Sequence, residues 1–146
     1  MDDERIFAMV EHAVNQAVER LEKNRPLPPF ALLLDSDGKI REIPCTETPE
    51  ERCYESLLQR VRAETQMGDI DAFALTARVT IPEHYRPEAP QGIRVHIEEK
   101  AASQRKIAAR LIYVPYDLFG AEGSDRRSAM LHTPISIGMP AEIFKG

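Results

Sequence analysis

The segment that most constrains the fold is Phe30-Ala-Leu-Leu-Leu34, an uninterrupted apolar run. It is set between Pro26, Pro28 and Pro29 on one side and Asp35-Ser-Asp-Gly38 on the other. A run this short, bounded by turn formers and without alternation, is predicted to be a strand covered on both faces. Asp35-Ser36-Asp37-Gly38 is turn chemistry, because Asp-Gly accommodates the positive φ of a tight hairpin. Turn formation accounts for both aspartates, and the twelve-residue ligand series of a calcium loop is missing. Lys39 to Ile43 is expected to return as a second, more exposed strand.

A helix is predicted on either side of this hairpin. Over residues 3–24, Ile6, Phe7, Val10, Ala13, Val14, Ala17, Val18 and Leu21 recur at spacings of three and four as one apolar stripe. Asp2, Asp3 and Glu4 suit the positive end of its dipole, Lys23 and Arg25 its negative end, and the prolines forbid continuation. Thr48-Pro49-Glu50-Glu51 then marks a second start, with Thr48 as N-cap, Pro49 in the first helical position and Glu51 closing a capping box. Tyr54, Leu57, Leu58 and Val61 form its stripe, and Gly68 ends it.

Beyond the second helix the period changes to two. Phe73, Leu75, Ala77, Val79 and Ile81 alternate with Ala74, Thr76, Arg78 and Thr80, the pattern of a half-exposed strand. Residues 82–92 carry Pro82, Pro87, Pro90 and Gly92 and are assigned to a loop. Ile93, Val95 and Ile97 alternate with Arg94, His96 and Glu98 as a fourth strand, and Ile107 to Val114 makes a fifth. Residues 99–106 have helix propensity, but the β-rich Leu111-Ile-Tyr-Val114 favours a hairpin loop there over a helix spanning 98–112. Pro115 ends the fifth strand or places it on an edge. Residues 118–146 are expected to be irregular, with a short edge segment within Leu131 to Ile137 and a tail draped over the core. The fold class that follows is α+β, one domain over residues 1–146. Its order is α-β-β-α-β-β-β, with a mostly antiparallel sheet of about five strands and two helices packed on one face.

The net charge of −5 argues against nucleic acid as a partner, since phosphate binding needs a positive footprint. No apolar run approaches the roughly 20 residues of a membrane span. The acidic N-terminus is the opposite of a secretory signal, so a cytosolic location is expected, with Cys45 and Cys53 as reduced thiols.

The helix followed by Pro29-Phe-Ala-Leu-Leu-Leu-Asp-Ser-Asp-Gly-Lys-Ile40 resembles the opening of the cytidine-deaminase fold, and profilin-like and roadblock-like domains share that element order. The deaminase zinc site requires a His or Cys beside a catalytic Glu and a close Cys pair; the second helix carries no His-x-Glu, and nothing in the chain resembles a Cys-x-x-Cys pair. The resemblance therefore implies a local α-β-β shape without the chemistry. Ile93-Arg-Val-His-Ile-Glu98 with Leu111-Ile-Tyr-Val-Pro-Tyr116 is similar to small bacterial proteins that bring no activity with them.

Among candidate site residues, His96 and Glu98 lie two apart in a strand and project from one face, as an acid–base pair or two metal ligands would. Alternation alone also places polar residues on a solvated sheet face, and that is the expectation here. Cys45 and Cys53 are too far apart for a zinc knuckle. Cys53 is expected to pack as a small apolar residue, although a helix N-terminus can activate a thiol. Arg105, Lys106, Arg110, Arg126 and Arg127 could form a basic patch but are expected to be solvated surface. No cofactor motif is present. The function expected is a non-catalytic binding or assembly module of a bacterial cytosolic protein, self-associating as a homodimer or binding another protein through an open sheet edge. The alternatives are a small enzyme using His96 and Glu98, and an acidic immunity or inhibitor protein.

Overall fold

The computed structural model describes residues 3–45, 52–100, 108–121, 124 and 126–144. Helix α1 (Asp3–Glu22) precedes strands β1 (Phe30–Asp35) and β2 (Ile40–Pro44). Helix α2 (Cys53–Gln66) and β3 (Ile70–Thr80) follow, then a 3-10 turn at Glu83–Tyr85. The chain continues as β4 (Gln91–Glu99), β5 (Ala109–Phe119), β6 (Ser128–Leu131) and β7 (Ile135–Met139). Pairing is antiparallel throughout, in the order β2-β1-β3-β4-β5-β6, with β7 also on β5. The sheet curls as a half-barrel.

The opening hairpin forms as its residues dictate. Asp35 accepts the N–H of Asp37 at 3.0 Å and of Lys39 at 2.9 Å on its side-chain oxygen, and Gly38 gives this turn its positive φ, 86°. The β4–β5 hairpin also forms, with Glu98 opposite Ala109. Of the ambiguous stretch 99–106, Glu99 ends β4 and residues 101–106 lie outside the described residues, as does the Thr48–Glu51 capping box.

Two expectations about layers are corrected. Among the described residues the sheet has seven strands and not about five, because residues 128–139 run along the outer edge of β5 as two strands, β6 and β7, where one short edge segment within an irregular tail was expected. Pro115 does not stop β5. It falls where the outer partner changes from β7 to β6, and its carbonyl accepts the His132 N–H at 2.9 Å, so the missing N–H sits at the break between two ladders.

The helices, moreover, cover opposite faces. Phe30, Leu32 and Leu34 pack with Met9, Ala13, Val14, Ala17 and Leu21 of α1, whereas Ala31 and Leu33 pack with Leu57 and Val61 of α2. A wholly apolar β1 requires cover on both sides, and one helix on each side supplies it. The same arrangement buries both faces of β3 from Ala72 to Ala77, where the alternation had suggested solvent on one side. Phe7, placed in the apolar stripe by spacing, is exposed, and Met9 takes the buried position.

Candidate functional site

β4 is an interior strand, and its alternate residues Arg94, His96 and Glu98 all rise on the α2 side. His96 and Glu98 are not on a solvated face: they are 2% and 1% exposed. The cover that sequence alternation could not reveal comes from α2 and from the C-terminal segment, whose Ile143 and Phe144 pack into the same cluster as Leu57, Val61 and Phe73. Phe73 meets the His96 ring nearly edge-on at 5.4 Å and the Phe144 ring at 5.8 Å.

The Glu98 carboxylate is fully engaged. Oε2 accepts from His96 Nε2 at 2.7 Å and from the Glu142 N–H at 3.1 Å; Oε1 accepts the N–H groups of Ile143 at 3.1 Å and Phe144 at 3.2 Å. Burial pushes this carboxyl up, but the His96 bond and the three backbone donors outweigh it and hold the group below its ordinary 4.5. Glu98 is thus an ionised acceptor to which Nε2–H of His96 donates. With about four lone-pair directions on a carboxylate and four donors aimed at them, none is left for a substrate proton. Chemically, the pair is a clasp that fastens the C-terminal segment onto the sheet.

Next along β4, the Arg94 guanidinium lies 4.9 Å from the centre of the Tyr54 ring on α2, a cation–π contact. Its Nε is buried without a hydrogen-bond partner. Burial pushes the Tyr54 phenol up while the Arg94 charge acts in the opposite direction. Tyr113 stands opposite Arg94 on β5, with Tyr85 5.7 Å from it.

The cysteines correct a further expectation. Cys45, after β2, and Cys53, in the first turn of α2, are joined as a disulfide with Cα atoms 5.5 Å apart, within the normal range for such a bridge. A separation of eight residues closes a small loop, so reduction is expected to cost about 2–3 kcal/mol in the chain-entropy model. Urea denaturation with and without dithiothreitol measures this directly. Coincident curves would mean that the bridge adds no stability.

At the outer edge the break between β6 and β7 is braced by His132. Its Nε2 bonds Asp117 at 2.7 Å and its Nδ1 faces Glu88 at 3.2 Å. The Asp117 hydrogen bond outweighs desolvation, and with the charges of both carboxylates it raises the His132 pKa above 6.5. The outer side of β6 is partly occupied, since Glu22 at the end of α1 accepts the N–H of Arg127 on its carbonyl and of Ala129 on its carboxylate. β7 is hydrogen-bonded to β5 alone among the described strands. The sequence reading placed only one short edge segment here, within Leu131 to Ile137, although a fuller signal was present: from Ser128 to Met139 no Asp, Glu, Lys or Arg occurs in a chain that is 29% charged.

The basic residues do not converge as one patch. Arg110 is exposed near the start of β5, Arg126 and Arg127 precede β6 beside its far end, and Arg105 and Lys106 lie outside the described residues. No three His, Cys, Asp or Glu side chains among the described residues come together as a metal-holding group. No helix among them is long and apolar enough to cross a membrane. The chain matches no protein-family model, no curated protein and no solved structure.

Proposed function

We propose that the protein is a non-catalytic assembly module that pairs with a second copy of itself through β7. The observation that carries this reading is the contrast between the two edges of the sheet. β2 presents Arg41, Glu42 and Pro44, the residues with which edge strands ordinarily discourage pairing. β7, Ile135-Ser-Ile-Gly-Met139, presents no charge and no proline. Antiparallel pairing of β7 with its copy centres on Ile137 and sets Ile135 against Met139, a self-complementary arrangement suited to two-fold symmetry. Phe119 and Met130, 56% and 53% exposed, project from the same side of the sheet as Ile135 and Ile137 and would add apolar area beside the joint.

The alternative of an enzyme built on His96 and Glu98 is disfavoured by the engagement of every Glu98 oxygen. A cytosolic location belongs to this proposal as the sequence suggested it. Glutathione there would keep Cys45 and Cys53 open, so the fold would have to tolerate the loss of the bridge.

Size-exclusion chromatography with light scattering at tens of micromolar protein tests the proposal. The expected mass is that of two chains. Ser136→Lys, an exposed position on β7, should return a single-chain mass with an unchanged circular dichroism spectrum, while Arg41→Ala on the opposite edge should remain dimeric. A strictly monomeric wild type sinks the idea, and so does a Ser136→Lys variant that dimerises as before.

A further inference from the structure

The connection from β3 to β4 has a fixed base and a lightly held tip. At the base the Ile81 N–H donates to the Pro90 carbonyl at 2.8 Å, and Ile81 fills the space that a Cβ on Gly92 would need. Beyond it, the bonds from the Tyr85 N–H to Pro82 and from the Arg86 N–H to Glu83 are internal to the loop. Arg86 takes φ 51°, in the left-handed region that disfavours a residue with a Cβ, so contacts with the rest of the fold must hold this shape. Those contacts are the buried Ala89, the Tyr85 ring 5.7 Å from that of Tyr113 on β5, and Glu88, which faces His132 at 3.2 Å. Among the described residues the last is the loop's one ion pair. A cavity of about 320 Å³ lies here, lined from the strand end by Thr80 and Ile81 and from the loop by Arg86, Pro87 and Glu88.

That ion pair needs one particular protonation state. His132 Nε2 bonds Asp117 at 2.7 Å while Nδ1 faces Glu88, and both partners are carboxylates that only accept. An imidazolium donates to both, whereas a neutral ring has a single N–H and must give up one of them. The shorter bond to Asp117 keeps the proton, so the bare Nδ1 lone pair is turned on a Glu88 oxygen and repels it. The Glu88 side chain is 55% exposed and swings into water at little cost. No other ionisable side chain stands in the segment Ser128 to Met139 that carries the ring, so Asp117 from β5 and Glu88 from the loop are the charges facing it. The Asp117 hydrogen bond, with the charges of both carboxylates, keeps the His132 pKa above 6.5 against desolvation. A raised imidazole is fully linked below its ordinary value, and the link is lost as pH rises through the folded value.

We infer that residues 82–90 form a pH-released strap, fastened to the sheet edge by protonated His132 and let go when that ring loses its proton. Release leaves only Ala89 and the Tyr85 ring to hold the tip. Opening widens the cavity and uncovers Tyr113, which is 7% exposed and stands in register with Ile135 of β7. The strap does not rest on pairing through β7 and stands or falls independently of the dimer.

Proton NMR of the full chain tests this through the NOE between the Tyr85 and Tyr113 rings. The range is about pH 6 to about pH 9, where ordinary carboxyl and phenol groups largely keep their charge. The cross-peak should weaken several-fold as pH rises, with the midpoint of the His132 ring's own titration. His84 stacks on Tyr85 at 4.0 Å and is itself ionisable, so His84→Gln is the control and should keep the transition. Glu88→Gln supplies an amide that accepts from Nδ1–H or donates to the bare Nδ1, so its cross-peak should stay strong throughout. Glu88→Ala removes the link and should leave the cross-peak weak at both ends of the range. A wild-type cross-peak equally strong on both sides of the His132 midpoint overturns the strap. So does a transition that disappears in His84→Gln or persists in Glu88→Gln, or a Glu88→Ala cross-peak as strong as wild type at the acid end.

Discussion

Glu98→Ala is expected to lower stability by about 3–5 kcal/mol, the range seen when one partner of a buried ionic network is removed. The substitution strands four donors at once: His96 Nε2 and the N–H groups of Glu142, Ile143 and Phe144. Each buried donor left unmet costs about 1–3 kcal/mol, so the loss is limited only by how far the C-terminal segment can peel away to reach water. Peeling exposes Ile143 and Phe144, which are packed against the α2 cluster, so relief of the donors is opposed by loss of apolar burial. Glu98→Gln should cost less, because its carbonyl oxygen still accepts two bonds while its amide nitrogen faces the other two donors. Urea denaturation gives the magnitudes. Hydrogen exchange adds the local readout, with the amides of residues 142–144 expected to exchange much faster in both variants. An alanine variant within about 1 kcal/mol of wild type would show that the clasp contributes little.

The same clasp fixes the acid limb of stability. The folded-state pKa of Glu98 is held below the ordinary 4.5 by His96 and the backbone donors. A depressed carboxyl contributes stability that is fully present above its unfolded value and is lost as pH falls through its folded value. The Glu98 contribution is therefore constant at neutral pH, declines below the mid-fours and vanishes only when the folded group itself is protonated.

Phe73→Ala is the other change expected to be severe, also about 3–5 kcal/mol, the range for removing a buried phenylalanine from a packed core. Phe73 is 0% exposed, sits in register between Leu33 of β1 and Glu98 of β4, and touches the rings of both His96 and Phe144. Its loss opens a cavity beneath the clasp and frees the imidazole that Glu98 holds. Because the two residues share partners, Phe73→Ala combined with Glu98→Ala should cost clearly less than the sum of the single changes. Additivity within about 0.5 kcal/mol would mean that the apolar support and the polar clasp act independently.

Local elements were legible in this sequence because their causes are local. The apolar stripe with flanking prolines specifies α1. The aspartate side chain and one glycine close the β1–β2 turn. Alternation at Ile93, Val95 and Ile97 identifies β4, whose α1 side these residues do occupy. The all-apolar β1 even stated that two layers must cover it. Placing both helices on one face went against that statement, and the fold follows the strand.

The candidate site was legible only as a pair of residue types. Alternation gives the face from which His96 and Glu98 project, but not whether that face meets water, since the cover comes from residues about 45 positions further on whose backbone N–H groups carry no sequence signature. The Cys45–Cys53 bridge depended in the same way on where β2 ends relative to the first turn of α2. The sequence by itself determined what each segment is, because turn angles, helix periodicity and pleat are set by neighbours within a few residues. Tertiary structure alone decided which donors meet which acceptors and which edge stays open, because those are consequences of layers closing over one another across the whole chain.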